Sequence, residues 1–404
     1  MLKSPFRRLA VVAALAMPAV GQAQPVSAPT ADRDVLLIDA AAAVTYQSNP
    51  FALRNGPSDT ILTGLLGVRF DREFSLQRIT ADASIEPIKY MDFSRYDTVN
   101  WRAGLNWDWE VGRPLFGTFT LRATSLQTPF DSINFAQDNQ QDIYLVRGLA
   151  GFRMTQSWSV FGAADYTRIT NSAFFQTPAD QNIVGFEGGL RYSPQTATEF
   201  DFFYRHTDGE YPNRQVFDST GNLLPAAIDN AYSQDALLVR ASYIPSDAFR
   251  VTGVAGWTTR SYDNLDQRDF SGPTLGLDFR WAWTGTTSAV LSLVRTIDAA
   301  EYLTANYIDV RGIAFRPTYR ATGKLYFDGL LSYFTRSYDG DPLFVITDAP
   351  VRKDKTVTAG VRMNYEFSRT ITGFMDLRYE DRSSNYDVFD FNNTLFGVGV
   401  RATF

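Results

Sequence analysis

The chain has 404 residues, with 38 Lys and Arg against 44 Asp and Glu, one His and no Cys. The acidic balance argues against nucleic-acid binding, which needs a basic face, and the absence of cysteine excludes a disulfide framework and a lipidated N-terminal cysteine. Aromatics are abundant (31 Phe, 20 Tyr and 7 Trp), and no apolar run reaches eighteen residues, so no membrane-spanning helix is expected. Composition alone leaves open a secreted β-solenoid, a pair of soluble β-sandwiches or a membrane β-barrel.

At the N-terminus, Lys3, Arg7 and Arg8 precede the apolar run "LAVVAALAMPAV", and small residues follow at Gly21 and Ala23. Charge, short apolar run and small-residue site come in the order of a secretory signal peptide, with the cut expected after Ala23. Removing residues 1–23 takes away three positive charges and leaves a net charge of −9. Residues 24–34 are rich in Pro and Ala and read as a disordered leader. A single domain, 35–404, follows.

From Leu36 onward the chain keeps one rhythm. Segments of about ten to fifteen residues alternate apolar and polar, as half-buried strands do. Tight connections fall at 70–75, 109–116, 154–158, 192–200, 243–249, 283–289, 319–327 and 366–374. Most place Gly, Pro, Ser, Thr or Asp between two aromatics, which is hairpin chemistry. Longer polar connections fall at 48–58, 91–95, 128–139, 171–180, 211–231, 263–269, 299–306, 339–354 and 386–392. This predicts eighteen strands, or sixteen if one hairpin is over-counted. Propeller blades carry four short strands each, whereas these are long enough to cross a bilayer when tilted. Strict alternation of short and long connections is the signature of an up-and-down antiparallel barrel.

The strand faces sharpen the choice. Val99, Trp101, Ala103, Leu105, Trp107 and Trp109 share one face, while Asn100, Arg102, Gly104, Asn106 and Asp108 share the other. A sandwich and a membrane barrel produce the same alternation, so aromatic position must separate them. Phe70, Trp109, Tyr192, Tyr243, Trp283, Tyr319 and Phe367 sit where strands meet short turns. That predicts an aromatic girdle at a membrane interface. The expected fold is therefore an all-β transmembrane barrel of the bacterial outer membrane, with the lipid bilayer as its first partner.

The last stretch, "NTLFGVGVRATF", alternates to its end, with Phe396, Val398, Val400, Ala402 and Phe404 on one face. A closed barrel needs its last strand to pair with its first, here Leu36 to Gln47. Outer-membrane barrels resemble this ending, and the resemblance implies that Phe396, Val398, Val400 and Phe404 form the signal read by the assembly machinery.

By the same parity Arg102, Arg191, Arg240, Arg280, Arg362, Asp165, Asp201, Asp376 and Glu380 line the lumen. Interspersed signs read either as cross-strand pairs that keep the wall wet or as a hydrogen-bonding track for a polar polymer. Phe161, Phe203, Tyr326 and Phe374 also face inward and either stack on sugars or fill the wall. The single histidine, His206, reads as a rim residue rather than part of a catalytic triad, because Thr207 beside it points to the other face. No enzyme activity, cofactor or metal site is expected. The long connection 211–231 carries an apolar patch, Leu223 to Ile228, and is expected to narrow the mouth or to pack on neighbouring loops.

The stretch "YRHTDGEYPNRQ" (204–215) resembles a block of the EpsL family, outer-membrane proteins of exosortase-linked exopolysaccharide clusters. So do "SDTILTGLLGVRFDREFSLQRITADA" (58–83), "DQRDFSGPTLGLDFRWAWTG" (266–285) and "SYDGDP" (337–342), whereas "FDSTGNLLPAAIDNAY" (217–232) departs from it. The resemblance implies a porin-like barrel working with exopolysaccharide and with periplasmic polysaccharide-export proteins, as a passive or gated channel for the polymer. The alternatives are a diffusion porin for small solutes and, from another class, a rim enzyme.

Overall fold

A computed structural model describes residues 36–133, 137–195, 198–213, 231–263, 269–299, 307–339 and 350–404. The expected leader, 1–34, lies outside them. The strands, in chain order, are β1 (Leu36–Gln47), β2 (Asp59–Phe74), β3 (Gln77–Tyr90), β4 (Thr98–Val111), β5 (Leu115–Gln127) and β6 (Gln140–Arg153). The middle third comprises β7 (Trp158–Asn171), β8 (Gln181–Gln195), β9 (Thr198–Glu210), β10 (Tyr232–Ser246), β11 (Phe249–Tyr262) and β12 (Phe270–Ala282). The last six are β13 (Thr287–Ala299), β14 (Tyr307–Arg320), β15 (Leu325–Asp339), β16 (Lys353–Glu366), β17 (Ile371–Ser384) and β18 (Phe391–Thr403).

Each strand pairs antiparallel with its sequence neighbours, and β1 pairs with both β2 and β18, so the sheet closes as an eighteen-stranded barrel. Closure extends to the final residue. The Ile38 N–H donates to the Phe404 carbonyl and the Phe404 N–H to the Ile38 carbonyl, both at 2.9 Å. No sheet edge remains to be satisfied, the condition for a sheet to exist in hydrocarbon.

Turn chemistry accounts for the short side. Gly112 turns the chain from β4 into β5 at φ +62°, a left-handed conformation that carries no penalty without a Cβ. In the β6–β7 turn the Thr155 hydroxyl accepts from the Ser157 and Trp158 N–H groups. Thr284, Thr322 and Ser368 make the same kind of turn before β13, β15 and β17. These side-chain turns satisfy backbone donors that a sharp reversal leaves free.

The barrel is inverted relative to a soluble protein. Large apolar side chains are exposed on the exterior, among them Leu66, Val146, Leu190, Leu237, Leu331 and Val361. Buried residues are mostly polar or charged and lie inside. All seven girdle aromatics are on the exterior face at the short-turn end, where Trp158 packs on Tyr192 at 4.7 Å and Tyr365 on Phe367 at 5.1 Å. The structure adds a second band that the sequence reading did not pick out. Tyr46, Tyr144, Tyr166, Tyr204, Trp257 and Tyr379 form it, exposed on the exterior toward the long-loop end. On β6 and β7 the bands are Phe152 to Tyr144 and Trp158 to Tyr166. That eight-residue spacing is about 26 Å along a strand, or roughly 20 Å of height at the usual tilt, near the height of a lipid-facing apolar band. Phe396, Val398, Val400 and Phe404 all lie exposed on this exterior face.

Candidate functional site: a pore with a crossing loop

The nine charged residues assigned to the lumen by parity lie on the interior face, and several of them pair there. On the β6–β10 wall, Arg147 donates to Asp165 Oδ1 at 2.8 Å and to Glu187 Oε2 at 2.6 Å. Arg205 reaches the same two carboxylates at 2.8 and 2.7 Å. Arg191 forms a fork on Asp201, Nε to Oδ1 at 2.7 Å and Nη2 to Oδ2 at 2.9 Å, and Arg240 adds a third donor at 3.0 Å. Register makes this possible: Asp201 faces Arg191 on one side and Arg240 on the other. Gly185 supplies the space, because a Cβ there would stand 2.4 Å from Arg205 Nη2 and 2.8 Å from Asp165 Oδ2.

On these five strands the inward charges pair with one another across the wall. The inward aromatics belong to the same fabric. Arg240 lies over Phe203 at 4.5 Å, Arg191 over Phe161 at 5.4 Å and Arg362 over Phe374 at 5.0 Å. Phe161 and Phe203 are buried, so they fill the wall and present no face to a sugar. Elsewhere Arg362 donates to Asp376 at 2.6 Å. Arg102 is set between Ser84 and Thr124, and Glu380 stands on the interior face of β17 between Arg378 and Arg382. Arg280 is exposed to the bore. Parity found these positions, but Glu187 and Arg205 were passed over; Arg205 carried the needed signal, an inward position on β9.

The second element of the site comes from the long-loop side. The connection between β5 and β6 contains a single helical turn, α1 (Phe130–Ile133). Phe130 is buried in a cluster with Phe51, Ile61, Tyr90 and Tyr96. Phe51 comes from the β1–β2 connection and Tyr96 from the β3–β4 connection, so three connections fold over the bore together. Ring centroids of Phe51 and Tyr96 are 4.8 Å apart, and Phe130 sits 5.1 and 5.2 Å from them. Next to Phe130, Asp131 meets the far wall. Its carbonyl accepts from Arg382 Nη1 at 2.6 Å, and its carboxylate lies 3.8 Å from Arg336. Arg336 is on β15, nine strands from β6 in a ring of eighteen, so the loop crosses the full bore. Arg382 also donates to the Phe389 carbonyl in the β17–β18 connection.

The sequence reading assigned passage control to 211–231. Residues 214–230 of that connection lie outside the described residues, and the crossing seen in the structure is made by 128–133.

His206 is on the exterior face near the long-loop end. Its Nδ1 is 2.8 Å from Asp235 Oδ1, directly opposite on β10, and its Nε2 is 3.2 Å from Asp208. Tyr204 also donates to Asp235. Sequence adjacency pointed at Thr207 and Asp208; only register reveals Asp235. Among the described residues no serine bonds to this imidazole, and no group of three or more His, Cys, Asp or Glu is placed to hold a metal ion.

Residues 251–404 match the family model described as "Putative beta-barrel porin 2". The chain is a closed eighteen-stranded β-barrel whose residues 251–404 resemble that porin family. No curated protein matches the sequence. Among solved structures it is similar to the outer membrane protein opdK from Pseudomonas aeruginosa, with 12% identity, TM-score 0.45, and coverage of 91% of this chain and 99% of that one. OccAB3 from Acinetobacter baumannii is similar at 10% identity and TM-score 0.48, with coverage of 91% and 99%. A bacterial polysaccharide outer membrane secretin is similar at 11% identity and TM-score 0.38, with coverage of 92% and 100%.

Proposed function

We propose that this barrel is a gated outer-membrane channel taking part in exopolysaccharide secretion. The single observation that carries the gate is the crossing of the bore by Phe130 and Asp131 to Arg336 and Arg382. A bore with charged walls and a docked loop suits a cargo of hydrated polar groups, and the EpsL-like blocks supply the link to exopolysaccharide. In this reading the chain is exported with a leader cut after Ala23, and periplasmic polysaccharide-export proteins meet the short-turn end. A second reading, a diffusion porin for small solutes, draws on the same crossing loop, which narrows the bore to small cargo while it stays docked. A gene deletion complemented by the intact protein, with secreted polymer measured in the medium, separates the two. Loss of secreted polymer on deletion is expected. Undiminished secretion, together with lowered uptake of small solutes, would decide for the second reading.

Two further roles belong to this proposal. The exterior stripe Phe396, Val398, Val400 and Phe404 is the mark for the assembly machinery. Removing Phe404 should lower the heat-modifiable folded fraction in outer membranes; equal folded amounts would remove that role. No catalysis is assigned to His206, so His206→Ala should leave secretion within about twofold, as for surface substitutions outside special sites. Abolished secretion with normal barrel abundance would revive a rim enzyme.

A further inference from the structure

Two adjoining stretches of the lumen wall treat charge differently. On β6–β10, Arg147, Arg191, Arg205 and Arg240 are matched by Asp165, Glu187, Glu199 and Asp201. On β11–β14 the pattern breaks. Arg250 and Arg280 stand directly opposite each other across β11 and β12. Both are inward, since their strand neighbours Phe249, Phe279 and Trp281 belong to the exterior face. Continuing at the same level, Arg280 pairs in register with Val290, and Val290 with Arg316.

Among the described residues neither Arg250 nor Arg280 makes an ion pair or a hydrogen bond. Among the described residues Arg316 donates to Ser292 Oγ, at 2.8 Å, and has no ion pair. Asp278, two residues from Arg280 on the same face, accepts from that same Ser292 hydroxyl. Arg280 and Arg316 are exposed to the open bore. Like charges directly opposite in a sheet are destabilising, so the strands gain nothing from this arrangement. Three guanidiniums at one level, close to the short-turn end, make a local positive field beside the paired wall of β6–β10. A confined channel strengthens such a field and raises the concentration of anions along it.

We infer that Arg250, Arg280 and Arg316 form an anion-binding track at the short-turn entrance, taking carboxylate groups carried by a small organic acid or by the uronate units of a polymer. The planar guanidinium fork suits a carboxylate better than a hydroxyl. This rests on the channel reading for its role but not for its test.

The experiment uses the full-length barrel in planar bilayers under a KCl gradient. The intact protein should prefer chloride. Arg250→Gln with Arg280→Gln should lower the chloride-to-potassium permeability ratio at least about threefold, with a current still present. An unchanged ratio would overturn the track while leaving the channel standing. If the intact protein passes no current, as a closed gate gives, equilibrium dialysis of the detergent-solubilised barrel decides the track. Oligogalacturonate should bind the intact protein and not the double variant; equal binding by both would overturn it. Citrate and oligogalacturonate as separate competitors distinguish the two sources of carboxylate. Both side chains lack partners among the described residues, so the variants should fold; the heat-modifiable band verifies this.

Discussion

Phe130→Ala combined with Asp131→Ala is expected to raise single-channel conductance severalfold. Phe130 is the part of the crossing loop buried against Phe51 and Tyr96, and truncating a buried Phe costs roughly 3–5 kcal/mol. The other anchor, the charged hydrogen bond from Arg382 to the Asp131 carbonyl, contributes about 1.5–3 kcal/mol where donor or acceptor is ionised. Alanine keeps that carbonyl but removes the carboxylate facing Arg336. The barrel itself is held by strand ladders that the substitutions do not touch, so the loop should undock while the wall stays folded. Since about 5.5 kcal/mol moves a two-state equilibrium from 1:99 to 99:1, losing the aromatic anchor should shift most molecules to an open bore. Arg336→Ala, which removes only the weaker contact, should give a smaller increase. Conductance equal to that of the intact protein, with the folded barrel verified, would show that 128–133 does not limit the current.

Asp201→Ala should be the most destabilising single substitution in the wall. Its carboxylate holds two guanidiniums at once, those of Arg191 and Arg240, and is fully buried. Removing one member of a buried charge cluster leaves the others uncompensated and costs about 3–5 kcal/mol. The pair Arg78–Asp71, at 2.5 Å but partly exposed, is the control. Asp71→Ala should cost no more than about 1 kcal/mol, as exposed pairs do. Urea unfolding in detergent micelles, followed by tryptophan fluorescence, measures both. A loss below about 1 kcal/mol for Asp201→Ala would mean that water enters the cluster freely and screens it.

Much of this molecule was legible in its residues. The period-two alternation placed inward and outward faces correctly on strand after strand, because that period is a property of a few consecutive residues. Turn residues between aromatics marked the short side, and the alternation of short and long connections gave the strand number. The inward positions of Arg191, Asp201 and Arg362 followed from the same parity.

Partnership did not follow from it. Glu187 meets Arg147, Arg205 and Arg240, which lie on three other strands; only the shear of a closed sheet decides which residues come level. His206 finds Asp235 for the same reason. Parity placed Arg280 inside but could not reveal that its opposite number is Arg250 rather than a carboxylate. The crossing loop was least legible of all. Phe51, Tyr96 and Phe130 sit in three separate polar connections, and Asp131 and Arg336 are 205 residues apart. Each looks like an ordinary loop or strand residue alone. They meet because closing eighteen strands makes a bore, and a bore gives apolar loop residues somewhere to be buried away from water. Local periodicity determined the wall; only the closed ring decided what crosses it.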